Sequence, residues 1–431
     1  MKVVICGGGV IGTCAAYYIA KRGTDVTVVE RAGVANGASG KSGGFLAMDW
    51  CRGTPVDPLA RRSFALHAEL SESVGIDWGY RRVETLSVVA NPQQGFSRMR
   101  QRNALGWLGS NATVQGQLGT TKTTAQVTPD LFTIGMLEAS GATLMEGAVE
   151  GILLEKGQAV GVVVDGAHLL ADAVVIAMGP WSVLACQWLP LPGVYGLKGH
   201  SLVFRYTPDN PKALFVELED TTGGISTPEV MPRTNGTTYV CGLSGEAPLP
   251  IDPSLVGTEK GGPEKLQAMT ELFAPELGRA EILASQACYR PVTQDGMPLI
   301  GQVPGVAKAY VATGHSVWGM LNGPATGEAL AELILDGAAV TVDIAPFDAG
   351  RLLVSTDTGA LYCFSNAAAE KMVVEKMEPT ELPLGLAKRL AKAARTERGW
   401  ALVTDVVDGR LCAALAEETQ WSIVGVSADA D

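Results

Sequence analysis

The sequence predicts an α/β fold with a doubly wound sheet of parallel strands, a second domain built on an antiparallel sheet, and a C-terminal appendage. Three observations support this prediction. A strand–helix–strand unit fills the first thirty residues. A continuous apolar run, Ala173–Ala177, has the length and composition of a buried parallel strand. From Gly199 to about Ala287, strand signals alternate with turns rich in Pro and Gly, as in antiparallel sheets.

The N-terminal unit opens with a short apolar strand, Val3–Cys6. A helix with apolar periodicity follows from Ile11 to about Lys21, and a second strand runs from Asp25 to Val29 and ends in Glu30. This order of elements is that of a Rossmann-type nucleotide-binding unit.

Gly7, Gly9 and Gly12 fill a G-x-G-x-x-G pattern between the first strand and the helix. One glycine permits the tight turn, one lets the backbone approach a pyrophosphate, and one packs helix on strand. The helix N-terminus provides amide donors and a positive dipole for phosphates. Glu30 lies where a carboxylate can accept hydrogen bonds from ribose hydroxyls. The unit therefore predicts a bound dinucleotide.

Hydrophobic periodicity predicts the intervening elements. The expected helices are Pro58–Val74, Gly95–Leu108, Asp130–Ala139 and Pro263–Phe273, and the expected strands include Val83–Ala90, the paired stretches Thr143–Leu154 and Ala159–Val164, and Ala309–Thr313. These elements suggest a dinucleotide-binding domain assembled from residues 1–56, 126–195 and 290–351, a segment at 57–125 that is partly helical and partly of the substrate domain, a substrate domain at 196–289 and an appendage at 352–431.

Four loops of small residues are spread along the chain: Gly7–Gly12, Ser39–Gly44, Gly179–Ser182 and Gly314–Gly327. The first, third and fourth directly follow apolar strands, so we expect them to meet at the carboxyl edge of the sheet, where ligands bind. A ligand contacted by the start, middle and end of the chain should be long and extended. FAD fits this expectation better than NAD.

Composition excludes several other functions. The chain has 431 residues, 47% apolar and 18% charged, with a formal net charge of -12, which argues against nucleic acid or an anionic membrane as a partner. Its eight cysteines form no C-x-x-C pair and its four histidines no H-x-x-x-H motif, so no metal site is expected. The first strand begins within the first three residues, which leaves no room for a signal peptide, and no apolar run has the length of a membrane span. We expect a cytoplasmic protein, or an organelle protein after removal of a transit peptide.

Several motifs together resemble the D-amino acid oxidase-like FAD-dependent oxidoreductases, the family of glycine oxidase and sarcosine oxidase. The similar stretches are GGGVIG with Glu30, GASGKSGG at 37–44, VVIAMGPWS at 174–182, YRPVTQDGMPLIG at 289–301 and GHSVWGMLNGPATGEALAELI at 314–334. The resemblance covers about residues 1–351. GHSVWG and CYRP resemble most a eukaryotic branch that includes a yeast member associated with endosomal sorting.

The resemblance implies FAD as the cofactor and a set of residues that hold it. The loop at 37–44 would wrap the pyrophosphate and the flavin edge, and the backbone from Gly319 to Leu321 would face the flavin pyrimidine ring. The implied cofactor-binding residues are Gly7, Gly9, Val10, Ile11, Gly12, Glu30, Arg31, Ser39, Gly40, Ser42, Gly43, Gly44, Val149, Gly179, Trp181, Gly314, Gly319, Met320 and Leu321.

The resemblance also implies a reaction, in which a hydride passes from the carbon beside an amine to the flavin, with O2 as the electron acceptor. Such chemistry belongs to the cofactor, so the protein needs only to orient the substrate and exclude water. Arg290 stands where the family has an arginine that anchors a substrate carboxylate. Tyr239 is the second candidate, because its hydroxyl could reach the same carboxylate.

Two positions bear on the substrate and on flavin attachment. Glycine oxidase carries a second arginine in its last flavin loop, whereas this chain has His315-Ser316-Val317-Trp318 there, which argues against glycine itself as substrate. Cys288 lies near the position where sarcosine oxidase attaches its flavin covalently. Since a buried cysteine is commonly a small apolar residue, we expect the flavin to be non-covalent.

Two other functions remain open: a non-catalytic flavoprotein acting in assembly or trafficking, and an FAD-dependent 2-hydroxy-acid oxidoreductase. The segment from Leu352 lies outside the resemblance. It contains a hairpin-like stretch, a basic helix from Leu384 to Arg395, and an acidic turn, Asp405–Gly409, that is unsuited to phosphate. We interpret it as an interaction or packing appendage. The sequence gives no indication of the oligomeric state.

Overall fold

The computed structural model describes residues 1–91, 105–219, 223–245 and 247–350, together with the backbone of four strands beyond them. The helices in these residues are α1 (Val10–Ala20), α2 (Asp57–Ser73), α3 (Pro129–Ser140), α4 (Ser182–Ala185), α5 (Gly262–Phe273), α6 (Pro275–Gly278) and α7 (Gly319–Asp336). Short 3-10 turns lie at Gly179–Trp181, Pro253–Leu255, Ser316–Trp318 and Ala345–Phe347.

The strands, in chain order, are β1 (Lys2–Cys6), β2 (Asp25–Glu30), β3 (Phe45–Ala47), β4 (Arg81–Arg82), β5 (Thr85–Ala90), β6 (Ala112–Gly119), β7 (Thr124–Gln126), β8 (Thr143–Glu146), β9 (Val149–Glu155), β10 (Gln158–Val164), β11 (Ala167–Leu170), β12 (Ala173–Ile176), β13 (Val194–Phe204), β14 (Ala213–Glu219), β15 (Ile225–Ser226), β16 (Glu229–Pro232), β17 (Thr238–Gly245), β18 (Ile282–Thr293), β19 (Leu299–Gln302), β20 (Ala309–Thr313), β21 (Leu352–Ser355), β22 (Leu361–Phe364), β23 (Arg398–Thr404) and β24 (Gln420–Val426).

A six-stranded sheet in the order β19-β20-β12-β1-β2-β8 forms the centre of the nucleotide-binding fold. Its pairs are parallel, apart from the antiparallel edge pair β19–β20. On one face, Val3 and Ile5 pack against α1 and α7. On the other, Val4 and Cys6 pack against β10. The second face is thus covered by the antiparallel sheet β9–β11, where a doubly wound fold usually has helices.

The second large sheet runs in the order β18-β13-β17-β16-β14-β5-β6, with β15 beside β14. It is antiparallel except for the parallel pair β14–β5. One face packs Leu202 and Val240 against Leu266 of α5. The opposite face carries a separate cluster that includes Met231 and Tyr239. The predicted α/β class, with a Rossmann-type sheet and an antiparallel-sheet domain, is confirmed.

Most predicted elements agree with the structure to within a few residues, but two boundaries were wrong. The predicted loop Gly314–Gly327 is helical from Gly319, where α7 begins. Thr143–Leu154 is two strands: β8 joins the parallel sheet beside β2, whereas β9 pairs with β10. Gly147 divides them, and its amide donates to the carbonyl of Glu30. Within the predicted helix Gly95–Leu108, residues 95–104 lie outside the described residues, and residues 105–108 form a turn instead of a helix. Residues 384–395 and 405–409 also lie outside the described residues.

The predicted hairpin of the C-terminal appendage agrees with the antiparallel pairing of β21 and β22. Farther along, β23 and β24 pair in parallel. Of the helices in the described residues, none combines the length and hydropathy that crossing a membrane requires.

Helix α1 lies unusually close to backbone on two sides. A Cβ on Gly12 would lie 2.0 Å from the carbonyl oxygen of Gly7, in the turn that follows β1. A Cβ on Gly327 of α7 would lie 2.6 Å from the carbonyl carbon of Cys14, in α1. Since both neighbours are backbone atoms, side-chain rotation cannot relieve either contact. The absence of side chains at these glycines therefore sets the positions of α1 and α7.

We expect Gly327→Ala to destabilise the fold, because the added methyl group must push α7 away from α1. Overpacking of this kind costs about 1–3 kcal/mol. Thermal unfolding followed by circular dichroism should show a lower Tm. The matched control is Gly116→Ala on β6, where an added Cβ meets nothing within 4 Å. An unchanged Tm for Gly327→Ala would contradict the proposed packing.

Candidate functional site

A cavity of about 370 Å³ lies at the carboxyl edge of the parallel sheet. Its wall is formed on one side by the residues that follow β1, β2, β12 and β20, and on the other by β17 and β18 of the second sheet. This is the edge at which ligands bind in open α/β sheets.

The structure brings the four small-residue loops together around this cavity. The sequence-predicted residues that line it are Gly7, Gly9, Val10, Ile11, Glu30, Arg31, Ser39, Ser42, Gly43, Val149, Gly179, Trp181, Gly319 and Met320, together with Tyr239 and Arg290. The described part of the chain holds no group of three or more His, Cys, Asp or Glu residues suited to a metal ion.

Five predicted residues do not line the cavity, because each lies against other protein atoms. An added Cβ on Gly40 would lie 2.3 Å from the carbonyl oxygen of Ala35, and one on Gly44 would lie 2.0 Å from that of Val127. Gly314 has a positive φ and faces Thr293. The other two are Gly12, packed on Gly7, and Leu321, which is fully buried. These residues shape the loops instead of forming the cavity surface.

The turn between β1 and α1 is tied to its neighbours by backbone amides. The amide of Gly8 donates to Glu30 Oε2 at 2.7 Å, and that of Ala32 donates to Glu30 Oε1 at 2.8 Å. The amide of Val10 donates to Ser39 Oγ at 2.8 Å. Each carboxylate oxygen of Glu30 retains a lone pair after these bonds. Glu30 can therefore accept a ligand hydroxyl while fixing the loop around it.

Arg290 presents an incompletely paired guanidinium group to the cavity. Its Nη2 donates to Ser244 Oγ at 2.9 Å. Its Nε is buried and has no hydrogen-bond partner among the described residues. A buried N–H without an acceptor is costly, so an oxygen-bearing ligand on this group would stabilise the site.

Tyr239 lines the cavity and is held in place by the protein's own groups. It is 5% exposed, and its hydroxyl donates to the carbonyl oxygen of Lys41 at 3.2 Å. The guanidinium carbon of Arg233 lies 5.3 Å from its ring centroid. Burial raises the pKa of Tyr239 well above its usual value. A neutral phenol thus joins β17 to the loop that contains Lys41.

Several lining residues were not predicted from the sequence, among them Lys41, Glu229, Cys241 and Ser244. Lys41 had a signal, since it interrupts a loop of small residues. Burial lowers its pKa. The other three lie on β16 and β17 in segments that have no recognisable motif.

Cys288 also lines the cavity. Burial raises the pKa of its thiol, an effect that Arg290 and Lys41 partly oppose. Because the thiolate is the nucleophilic form, this environment favours an unreactive thiol.

A segment at 247–255, here called the strap, contributes Ile251 and Pro253 to the cavity wall. Three of its carbonyl oxygens accept hydrogen bonds from side chains elsewhere in the fold. The donors are Tyr289 Oη to Pro248 at 2.8 Å, Trp181 Nε1 to Pro250 at 2.8 Å, and Arg31 Nη1 to Ile251 at 3.4 Å. The strap is therefore fastened to both large sheets and their loops.

Two buried histidines fix the start of α7. His67 Nε2 lies 3.0 Å from the carbonyl oxygen of Met320 and 3.2 Å from that of Leu321, so this nitrogen carries the proton. His315 Nε2 lies 3.1 Å from Thr326 Oγ1. Burial lowers the pKa of His67 to about 4 and that of His315 to about 3. Both imidazoles are neutral near pH 7.

Comparison with known proteins identifies relatives along most of the chain. The family model DAO, described as FAD dependent oxidoreductase, matches residues 2–333. A Schizosaccharomyces pombe protein named only as an oxidoreductase is 30% identical over 377 residues, covering 80% of this chain and 96% of the relative. Glycine oxidase of Geobacillus kaustophilus is 29% identical and covers 81% and 96% of the two chains. A crystal structure of glycine oxidase from the same organism superposes with a TM-score of 0.67 at 25% identity, covering 80% of this chain and 97% of that chain.

The buried His67 should make stability depend on pH. In the unfolded chain a histidine takes up a proton as the pH falls below about 6.5, whereas folded His67 stays neutral until about pH 4. Its stabilising contribution is present above pH 6.5 and is lost on acidification. Between pH 7 and pH 5 we expect a loss of about 1–2 kcal/mol from this residue.

Urea unfolding at pH 7, 6 and 5 measures this effect. His67→Gln should show a smaller fall in the free energy of unfolding between pH 7 and pH 5 than the wild type. His168→Gln, which replaces an exposed histidine on β11, is the control and should follow the wild type. Equal pH dependence of the wild type and His67→Gln would contradict this assignment.

Proposed function

Since the chain belongs to the DAO family of FAD-dependent oxidoreductases, we propose that it oxidises the C–N bond of a small amine or amino acid whose carboxylate is held by Arg290. We propose O2 as the electron acceptor, in line with the related glycine oxidases. The observation that carries the proposal is the partly unpaired guanidinium group on the wall of a cavity that also contains the nucleotide-binding turn.

The residues around the cavity suit FAD. Gly9 lies on the cavity wall beside the N-terminus of α1. Because Gly9 has no side chain, the space next to this helix end stays free; an added Cβ would also come within 3.2 Å of Ser39 Oγ. Amides at the start of α1 suit a pyrophosphate, and Glu30 suits a ribose. The residues proposed to hold the cofactor are Gly7, Gly9, Val10, Ile11, Glu30, Arg31, Ser39, Ser42, Gly43, Val149, Gly179, Trp181, Gly319 and Met320.

Bound flavin supplies the hydride acceptor. The protein's own contribution is to orient the substrate and to provide fixed dipoles. Arg290 can hold a carboxylate through two parallel N–H donors and so fix the neighbouring carbon. Gly319 and Met320 bring the N-terminus of α7 to the cavity, where its dipole favours negative charge. His67 holds the carbonyl oxygens of that turn in place.

Gly9→Val should abolish FAD retention, because the added side chain would occupy the space beside the start of α1. The measurement is the ratio of flavin to protein absorbance after purification in the presence of added FAD. Gly193→Val is the control, since this exposed glycine has nothing within 4 Å of an added Cβ. Full flavin content in Gly9→Val would overturn the proposed binding mode.

Arg290→Ala should keep its flavin but lose substrate-driven reduction by two or more decades, because removing a charge-assisted pair costs on the order of 2–4 kcal/mol. Arg290→Lys should recover only part of this loss, since a point charge cannot reproduce the fork of the guanidinium group. Anaerobic flavin bleaching with sarcosine, glycine, proline and D-amino acids measures the rates. Arg279→Ala, at an exposed arginine, is the control. Unchanged rates in Arg290→Ala would place the carboxylate anchor elsewhere.

A further inference from the structure

Glu229 and Arg290 place opposite charges on the same cavity wall. Both line the cavity, Glu229 from β16 and Arg290 from β18. They are close enough for Arg290 to lower the pKa of Glu229. Neither forms a salt bridge with any described residue. The two charges therefore face a shared space without neutralising each other through direct contact.

Each group is held by a neutral partner on β17. Glu229 lies opposite Cys241 in the strand register, and Cys241 Sγ donates to Glu229 Oε2 at 3.7 Å. Arg290 donates to Ser244, three residues farther along the same strand. Glu229 Oε1 accepts no hydrogen bond within the described residues, and Arg290 Nε has no partner there. One acceptor and one donor thus remain without a partner among the described residues.

This arrangement is unfavourable for the protein alone. A partly buried carboxylate beside a thiol loses hydration and gains only a weak hydrogen bond. Burial raises the pKa of Glu229 for this reason. A ligand that carries a cation and an anion close together would compensate both groups at once, because each charge would meet its opposite in a partly desolvated site.

We propose that Glu229 binds the cationic nitrogen of an amino-acid zwitterion whose carboxylate lies on Arg290. This inference rests on the proposed function and narrows the substrate class to amino acids, because 2-hydroxy acids carry no cation that Glu229 could bind. Glu229 is on this basis a specificity-determining residue that selects amino acids over other small carboxylates.

Pairs of ligands of nearly equal shape test the proposal. Replacing the ammonium group by methyl converts glycine to propanoate and alanine to 2-methylpropanoate. In sarcosine, replacing the NH2+ group by CH2 gives butanoate. Kd values for the carboxylates come from perturbation of the flavin absorption spectrum of the FAD-loaded protein. Those for the amino acids come from the same spectra, or from the concentration dependence of anaerobic reduction where reduction occurs.

We expect the wild type to bind at least one amino acid ten or more times more tightly than its methyl isostere. In Glu229→Gln, which keeps the size and acceptor oxygen of the side chain, this preference should fall to less than threefold through weaker amino-acid binding. Carboxylate affinity should not decrease, and flavin content and Tm should stay at wild-type values. Glu217→Gln, an exposed carboxylate on β14, is the control and should retain the preference.

Three results would overturn the inference: a wild type without preference for any amino acid, a preference that persists in Glu229→Gln, or loss of flavin from Glu229→Gln. In the last case the role of Glu229 would be structural. Failure of every amino acid to reduce the wild-type flavin bears on the proposed function instead. The binding comparison remains decisive in that case, because it does not require turnover.

Discussion

The close approach of α1 to backbone on both sides is the constraint on which the rest of the structure depends. Gly12 allows the helix to lie against the turn at Gly7, and Gly327 allows α7 to lie against Cys14. Close-packed backbone transmits displacement instead of absorbing it. The N-terminus of α1 and the first turn of α7 are therefore held at one edge of the sheet, where they form two walls of the cavity.

The parallel sheet and its loops could be predicted because their signals are local. A buried apolar strand followed by glycine and then by a helix is recognisable at β1 and at β12 without knowledge of any distant partner. The break at Gly147 was missed for the opposite reason. The residues before and after it read as one continuous strand, and only the pairing of Thr143 with Thr27 assigns the first part to another sheet.

The second half of the site depends on cross-strand register, which leaves little trace in a single sequence. Glu229 faces Cys241 only because β16 and β17 pair in that alignment, and the neighbouring pair β13–β17 shifts register between His200 and Ser201.

The roles of individual glycines are also hard to predict from the sequence. The sequence does not distinguish Gly9, which leaves space beside a ligand site, from Gly40, which leaves space for a carbonyl group. Both occur in loops rich in small residues.

The strap carries information from distant parts of the chain into the cavity wall. Its three carbonyl oxygens are held by Tyr289, Trp181 and Arg31, which belong to separate parts of the chain. A segment fixed at three points by donors from different elements keeps little conformational freedom of its own. The place of Ile251 and Pro253 in the cavity wall is therefore set by residues that are distant from the strap in sequence.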